Sequence, residues 1–194
     1  MKKWCMKSKV TFCILFIGLL ILGGVCIFHK SGNVEKKVIK GEGMWPAYSF
    51  ASAIDEAATI VYGRVVDKSA TKVHQMAYIN GKSYNEYYKE VSVEVLDILK
   101  GDMDDTTVTY LEFGGETKDV IYVFEDIEPV EINGEYIFFL NNYGAALSPM
   151  TLLPVDNGTV LTQGKIMPTF ETGTRSSGVS VESYLRAIES VLEE

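Results

Sequence analysis

Residues 88–102 read YKEVSVEVLDILKGD, and this run decides the fold. Val91, Val93 and Val95 alternate with Glu90, Ser92 and Glu94, the period of two shown by a strand with one face in the core and one in water. Continuing that register would bury Asp97. The apolar parity instead passes to Leu96 and Ile98, which predicts a bulge near 95–97. A long arm over residues 82–99 can then bend across two sheets.

Working outward, residues 72–79 and that arm flank Asn80-Gly81, the strongest short hairpin signal. Residues 59–67 (TIVYGRVVD) are rich in β-branched side chains, and Gly63 within them marks a bulge or a tight crossing. Downstream, residues 106–113 (TTVTYLEF) stop at Gly114-Gly115, and residues 120–124 form a further strand. Asn133-Gly134 turns into residues 135–140 (EYIFFL), apolar on both faces and therefore central and buried. Asn157-Gly158 joins residues 152–155 to 159–161. Ser49 caps a helix over 50–58 whose Phe50, Ala53, Ile54, Ala57 and Ala58 form one stripe. Ser180 caps another over 181–192, with Glu182 at its positive end and Val181, Tyr184, Leu185, Ile188 and Leu192 on one face. Three Asn-Gly hairpins predict a mainly β fold: an antiparallel, OB-like β-barrel, closed or nearly so, with two short peripheral helices. Closure is the plainest way to hide strand edges.

The other end of the chain is of a different kind. Lys2, Lys3, Lys7 and Lys9 precede residues 10–28, a run without charge. As a helix it rises about 28 Å, matching a hydrocarbon core about 30 Å thick. The expected organisation is a basic cytoplasmic tail at 1–9, a transmembrane anchor at 10–28, a juxtamembrane linker at 29–46 and an extracytoplasmic domain at 47–194. Cleavage and lipidation at Cys26 are the alternatives. Neither fits well: the run is long for a signal peptide, no A-x-A pattern ends it, and Val25 precedes the cysteine. Lys30, Lys36, Lys37 and Lys40 nearly balance the lysines on the other side. The short basic tail and the absence of cysteine after Cys26 favour a single-pass protein of the cell membrane, with its domain outside.

All 26 acidic residues but only 13 of the 18 basic ones lie after position 30, a net charge of −13 for that part of the chain. Nucleic acid is excluded as a partner, since phosphate binding needs a basic stripe. Cationic peptides, metal ions and neutral glycans stay compatible with this charge.

Several segments together carry a resemblance: ATIVYGRVVDKS after a short helix, then YKEVSVEVLDILKGD, VTYLEFGGE, GEYIFFLNN and VLTQGKIMP. Over roughly residues 47–170 the chain resembles small exported bacterial proteins whose domain looks like the netrin-type form of the OB barrel, the form found in tissue inhibitors of metalloproteinases. The resemblance implies architecture. The inhibitors' activity uses a free N-terminal cysteine and a disulfide framework, and this domain has neither.

Catalytic patterns are sparse. His29 lies at the membrane boundary and His74 in an outer hairpin, so no histidine base adjoins a nucleophile in sequence. Ser69 and Lys72 match S-x-x-K, and Ser83-Tyr84-Asn85 is similar to a second element of penicillin-binding enzymes. No K-T-G strand follows, and the pair falls in a hairpin. Asp102, Asp104 and Asp105 cluster after Gly101, but Thr107 and Phe113 stand where an EF-hand needs Gly and Glu. Neither a metal nor a cofactor is expected. Glu125, Asp126, Glu128 and Glu131 form a second acidic run. Asn157-Gly-Thr159 is a glycosylation sequon that also reads as a plain turn. The binding candidates are Tyr78, Tyr84, Tyr87 and Tyr88, gathered about the Asn80-Gly81 hairpin, because tyrosine offers a wide apolar face with a polar tip. The expected function is a membrane-tethered, non-catalytic binding module for a cell-envelope protein or glycan. A carboxylate-dependent cell-envelope hydrolase and a protease-inhibitor-like protein are the alternatives.

Overall fold

The β-branched and aromatic runs become strands in the computed structural model, which describes residues 35–79, 82–102, 106–168 and 178–194, with 76–79 and 82–84 by backbone only. In chain order these are β1 (Lys37–Gly41), β2 (Thr59–Lys68), β3 (Lys72–Ile79), β4 (Lys82–Lys100), β5 (Thr107–Phe113), β6 (Gly115–Glu116), β7 (Val120–Phe124), β8 (Glu135–Leu140), β9 (Leu152–Asp156), β10 (Thr159–Leu161) and β11 (Gly178–Ser180). Helix α1 spans Phe50–Glu56 and α2 spans Val181–Leu192. The fold is mainly β with two helices. The expected anchor at 10–28 lies outside the described residues, among which no helix is long and apolar enough to cross a membrane.

The main sheet runs β11-β10-β9-β8-β2-β4. Beyond β2, β3 continues along the same edge of β4, while β5 takes the opposite edge; Tyr88 of β4 sits between Lys72 and Phe113. Every neighbour in this sheet is antiparallel. The strand β8 is central and buried, as its two-faced apolar sequence predicts. Its Tyr136, Phe138 and Leu140 join Val61, Val65, Val91, Val93 and Tyr110 in one core. Its Ile137 and Phe139 face the other way, into a core with Ala53, Ile54, Leu153, Tyr184 and Ile188 beneath the helices.

The helix ends are satisfied as the sequence predicts. Ser49 Oγ accepts from Ser52 N (3.1 Å), and Ser180 Oγ accepts from Ser183 N (3.2 Å). The Leu99-Lys100-Gly101-Asp102 segment has a physical reason too. Lys100 Nζ donates to the carbonyls of Ile54 (2.7 Å) and Asp55 (2.8 Å), placing a cation on the open carbonyls at the end of α1.

Four expectations are corrected. First, the barrel is not closed among the described residues. One end of the sheet goes on to β11, and the free edge of β5 meets a loop instead of a strand. Leu111 N donates to the Gly144 carbonyl (2.9 Å), and the loop is folded by Asn141 Oδ1, which accepts from Tyr143 N (2.9 Å) and Ala145 N (3.2 Å). Gly144 has φ +80°, and a Cβ there would stand 2.7 Å from the Thr109 carbonyl, so only glycine allows this approach.

Second, the bulge lies where predicted, since β4 pairs Asp97 with Tyr62 and Val95 with Gly63, leaving Leu96 over. The residue delivered to the core is different. A second irregularity opposite Ile60 and Val61 turns Leu99 into the helix-side core, while Leu96 and Ile98 stay 40% and 39% exposed. Third, Asn133-Gly134 is a turn and not a hairpin. It leads β8 onto β2, with Asn133 N donating to the Val65 carbonyl (2.8 Å). The Asn157-Gly158 hairpin does form, with φ +47° and +74°. The residues Asn80 and Gly81 lie outside the described ones, although Ile79 and Lys82 pair across them.

Fourth, the stretch read as a linker at 29–46 contains β1, which pairs in parallel with β7, itself paired to β6 in a second small sheet. Lys40 Nζ binds Glu125 (2.6 Å) and Lys36 binds Glu116. Val38 and Ile39 between lysines were the available signal, a short strand with charges guarding an edge.

Gly63 meets both readings made of it. A Cβ there would stand 2.5 Å from Val93 Cγ1 and 2.8 Å from the Glu94 carbonyl. Gly63→Ala is expected to lower stability by about 1–3 kcal/mol through overpacking, read as a drop in the urea midpoint. An unchanged midpoint would show that β4 can move aside.

Candidate functional site

Of the four tyrosines, Tyr87 and Tyr88 have described side chains, and these two lie on opposite faces of β4. Tyr87 is buried and stacks on Tyr122, with centroids 5.1 Å apart and planes at 18°. Its carbonyl accepts from Gly114 N (2.7 Å). It fastens the small sheet to β4. Strand alternation sends Tyr88, which is half-buried, to the opposite face. Tyr78 and Tyr84 lie on β3 and β4, and their side chains lie outside the described residues.

The other sequence candidates are dispersed. His74 is exposed opposite Glu86. Lys72 pairs with Glu90 (2.5 Å), and Ser69 Oγ donates to the Ala70 carbonyl (2.9 Å) while accepting from Glu90 N (2.9 Å). Asp102 is exposed, and Asp104 and Asp105 lie outside the described residues. Among the described residues no three His, Cys, Asp or Glu side chains converge on a metal position. Glu125 is held by Lys40.

Chemistry gathers where Glu128 and Glu131 of the second acidic run meet residues that carry no signal in the sequence. A cavity of about 780 Å³ opens between β5, the segment 127–136, β9 and the turn after β10. That volume falls in the range of about 300–1,000 Å³ of small-molecule sites. Trp45, Tyr110, Phe113 and Tyr136 supply aromatic walls; Glu128, Glu131, Ser148 and Lys165 supply polar groups.

Local structure sets each polar group. A short 3-10 turn at Pro149–Thr151 makes Ser148 give its backbone to Thr151: the Ser148 carbonyl accepts from Thr151 Oγ1 (2.8 Å), and Ser148 N donates to the same hydroxyl (3.0 Å). Ser148 Oγ sits over the backbone of this turn without completing a hydrogen bond to it and has no hydrogen-bond partner among the described residues, although the residue is 2% exposed. Lys165 follows the Gly164 turn, where Lys165 N donates to the Thr162 carbonyl (3.0 Å). The next residue, Ile166, is clamped twice: its N–H reaches the Met150 carbonyl (3.2 Å), and its own carbonyl accepts from the Tyr184 hydroxyl (2.8 Å). The ammonium of Lys165 donates to the carbonyl of Pro149 (2.7 Å), the residue after Ser148, and both Lys165 and Ser148 line the cavity. Burial pulls its pKa down, and Glu128 partly offsets this. Among the described residues it has no ion-pair partner.

On the opposite wall, burial pushes the Tyr110 hydroxyl pKa up, with Glu112 and Tyr136 adding to the shift. Burial also raises Tyr136, whose hydroxyl accepts from Glu131 N (2.9 Å). Glu135 is already engaged. The Tyr62 hydroxyl and Arg64 Nη2 (2.7 Å) both donate to it and hold its carboxyl low, while burial and Glu135 push Tyr62 up to about 12. The exposed Glu128 and Glu131 have no such partners among the described residues, so they are the free carboxylates at the mouth.

Behind the cavity a buried carboxylate holds the 127–136 segment in place. Glu112 is 2% exposed; it accepts from Lys68 Nζ (2.9 and 3.2 Å), Lys89 Nζ (3.4 Å) and the Val130 N–H (2.8 Å). A signal for it existed in sequence: in β5, Glu112 falls on the same parity as Tyr110 and Val108, so a charge occupies the core face. No comparable pattern marks Ser148 or Lys165, which loops bring together. No protein-family model matches this chain, and a comparison with curated proteins finds no match.

Proposed function

We propose that this chain is a non-catalytic binding domain, held at the outer face of the cell membrane by residues 10–28, with its ligand site in the 780 Å³ cavity. One observation carries the reading. Trp45 Nε1 and Ser148 Oγ are the buried side-chain polar atoms without a partner among the described residues, and both residues line this cavity. A buried unsatisfied polar group costs about 1–3 kcal/mol. Both atoms lie just beneath the cavity surface, so a ligand whose entry shifts these side chains and that accepts from the indole N–H and meets the hydroxyl recovers that cost. The curl of β8, β2, β4 and β5, with the Asn141–Ala145 loop at its open side, supports reading the domain as an opened relative of the netrin-type OB barrel. The rival reading, a carboxylate-dependent hydrolase, would draw on Glu128 and Glu131, which line the same cavity, and consumption of a bound compound is what separates it from a binding domain.

Trp45 is also a reporter, since Trp4 is the only other tryptophan. In full-length Trp4→Phe protein in detergent, envelope metabolites that occupy the cavity are expected to shift Trp45 emission without being consumed. Ser148→Ala should match or exceed the parent in stability, because it removes an unpaired hydroxyl, while weakening the ligand at least tenfold. Silence of Trp45 toward every compound, together with loss of stability in Ser148→Ala, would make the hydroxyl a structural group and overturn the reading. Turnover of any compound would overturn the non-catalytic claim.

A further inference from the structure

The charges of the cavity are laid out in a particular order. Lys165, half-buried, has the Pro149 carbonyl as its one partner among the described residues, and the residue before Pro149, Ser148, also lines the cavity with a hydroxyl that has no partner among them. At the mouth stand the free carboxylates of Glu128 and Glu131. Glu128 acts electrostatically on Lys165, yet no ion pair joins them. One cavity thus carries a cation, a hydroxyl donor and two anions along its lining.

We propose that this cavity takes a small zwitterion, a free amino acid or a dipeptide, with its carboxylate on Lys165 and Ser148 and its ammonium toward Glu128 and Glu131. This rests on the cavity being the binding site.

Other ligand charges fit worse. A neutral ligand leaves the Lys165 ammonium desolvated and unpaired, which is costly. A cation brings a like charge toward it. A phosphate or polyanion meets Glu128, Glu131 and Asp156 on the way in, on a domain already strongly acidic. Only a ligand whose charges run opposite to those of the walls pairs both ends, and charge-assisted hydrogen bonds are the strong ones. The apolar surface between the ends, from Leu152, Pro154 and Pro149, suits a short aliphatic side chain.

The test is calorimetric titration of the full chain in detergent with leucine, Ala-Leu, the amide of Ala-Leu and N-acetyl-Ala-Leu. Ala-Leu or leucine is expected to bind, and which of the two binds tighter identifies the source. Amidation of the carboxylate should weaken binding at least tenfold, and so should acetylation of the amine. In Lys165→Met the preference for acid over amide should vanish; Ser148→Ala, which leaves the Pro149 contact intact, should reduce it in a protein as stable as the parent. Equal binding of acid and amide by the native chain would overturn the zwitterion class and leave the cavity as a binding site. Failure of all four probes, with another compound still shifting Trp45, would do the same. If no compound of any class shifts Trp45, the binding reading itself falls.

Discussion

Phe138→Ala is expected to leave the domain at or near its unfolding threshold. Phe138 is fully buried at the centre of β8, with Tyr110 at 5.4 Å and Tyr136 at 5.7 Å between ring centroids. Removing a core phenylalanine costs about 3–5 kcal/mol, the lost transfer energy plus the cavity left behind. Whole-domain stability is about 5–15 kcal/mol, so one truncation takes up a large share. Little relaxation is available, because β2 and β9 are hydrogen-bonded to either side of β8. Chemical denaturation of the full chain should show the urea midpoint falling sharply for Phe138→Ala and only modestly for Phe138→Leu, which keeps most of the volume. Equal midpoints for alanine and the parent would show that β8 is not the centre of the core. Tyr110 and Tyr136 also line the cavity, so the substitution should disturb ligand binding before it unfolds the chain.

Glu112→Gln is expected to cost about 3–5 kcal/mol, as large an effect from a single changed atom. Breaking a buried ion pair by removing one partner leaves the other charges uncompensated. Here two lysines lose their carboxylate, Lys68 with its side chain 15% exposed and Lys89 with 26%. The amide oxygen of glutamine can still accept from Val130 N, so the loss measures charge and not the loop contact. Lys68→Met in the same background should return part of the stability, because it removes one of the stranded cations. The double-mutant cycle is the clean readout. Additive effects would show that Lys68 and Glu112 are not coupled. Glu112→Ala goes further and frees the Val130 N–H, so the 127–136 segment should gain hydrogen exchange and the cavity should lose its ligand.

The sequence by itself determined which stretches are strands and where the helices start. Alternation in residues 90–95, β-branched runs, Asn157-Gly158 and the Ser49 and Ser180 caps are local signals, and each is realised with a shift of at most a residue or two. The run EYIFFL announced its own centrality, because only a strand covered on both faces can bury five such residues in a row. Even the bulge beside Asp97 was legible, since a charge on the core parity must be shed. What the tertiary structure alone decided is how distant segments meet. Whether the sheet closes depends on the edge of β5 meeting a loop at Gly144, thirty residues and more along the chain. The parallel partner of β1 lies some eighty residues away, so Val38 and Ile39 between lysines hint at a strand without showing what it pairs with. The cavity is decided in the same way. Ser148 and Lys165 are ordinary loop residues in sequence, and they acquire an unpartnered hydroxyl and a half-buried ammonium only because Ile166 is clamped between Met150 and Tyr184. Burial and pairing are properties of the folded neighbourhood, so the groups whose chemistry depends on them carry no periodicity for a reader of the chain to find.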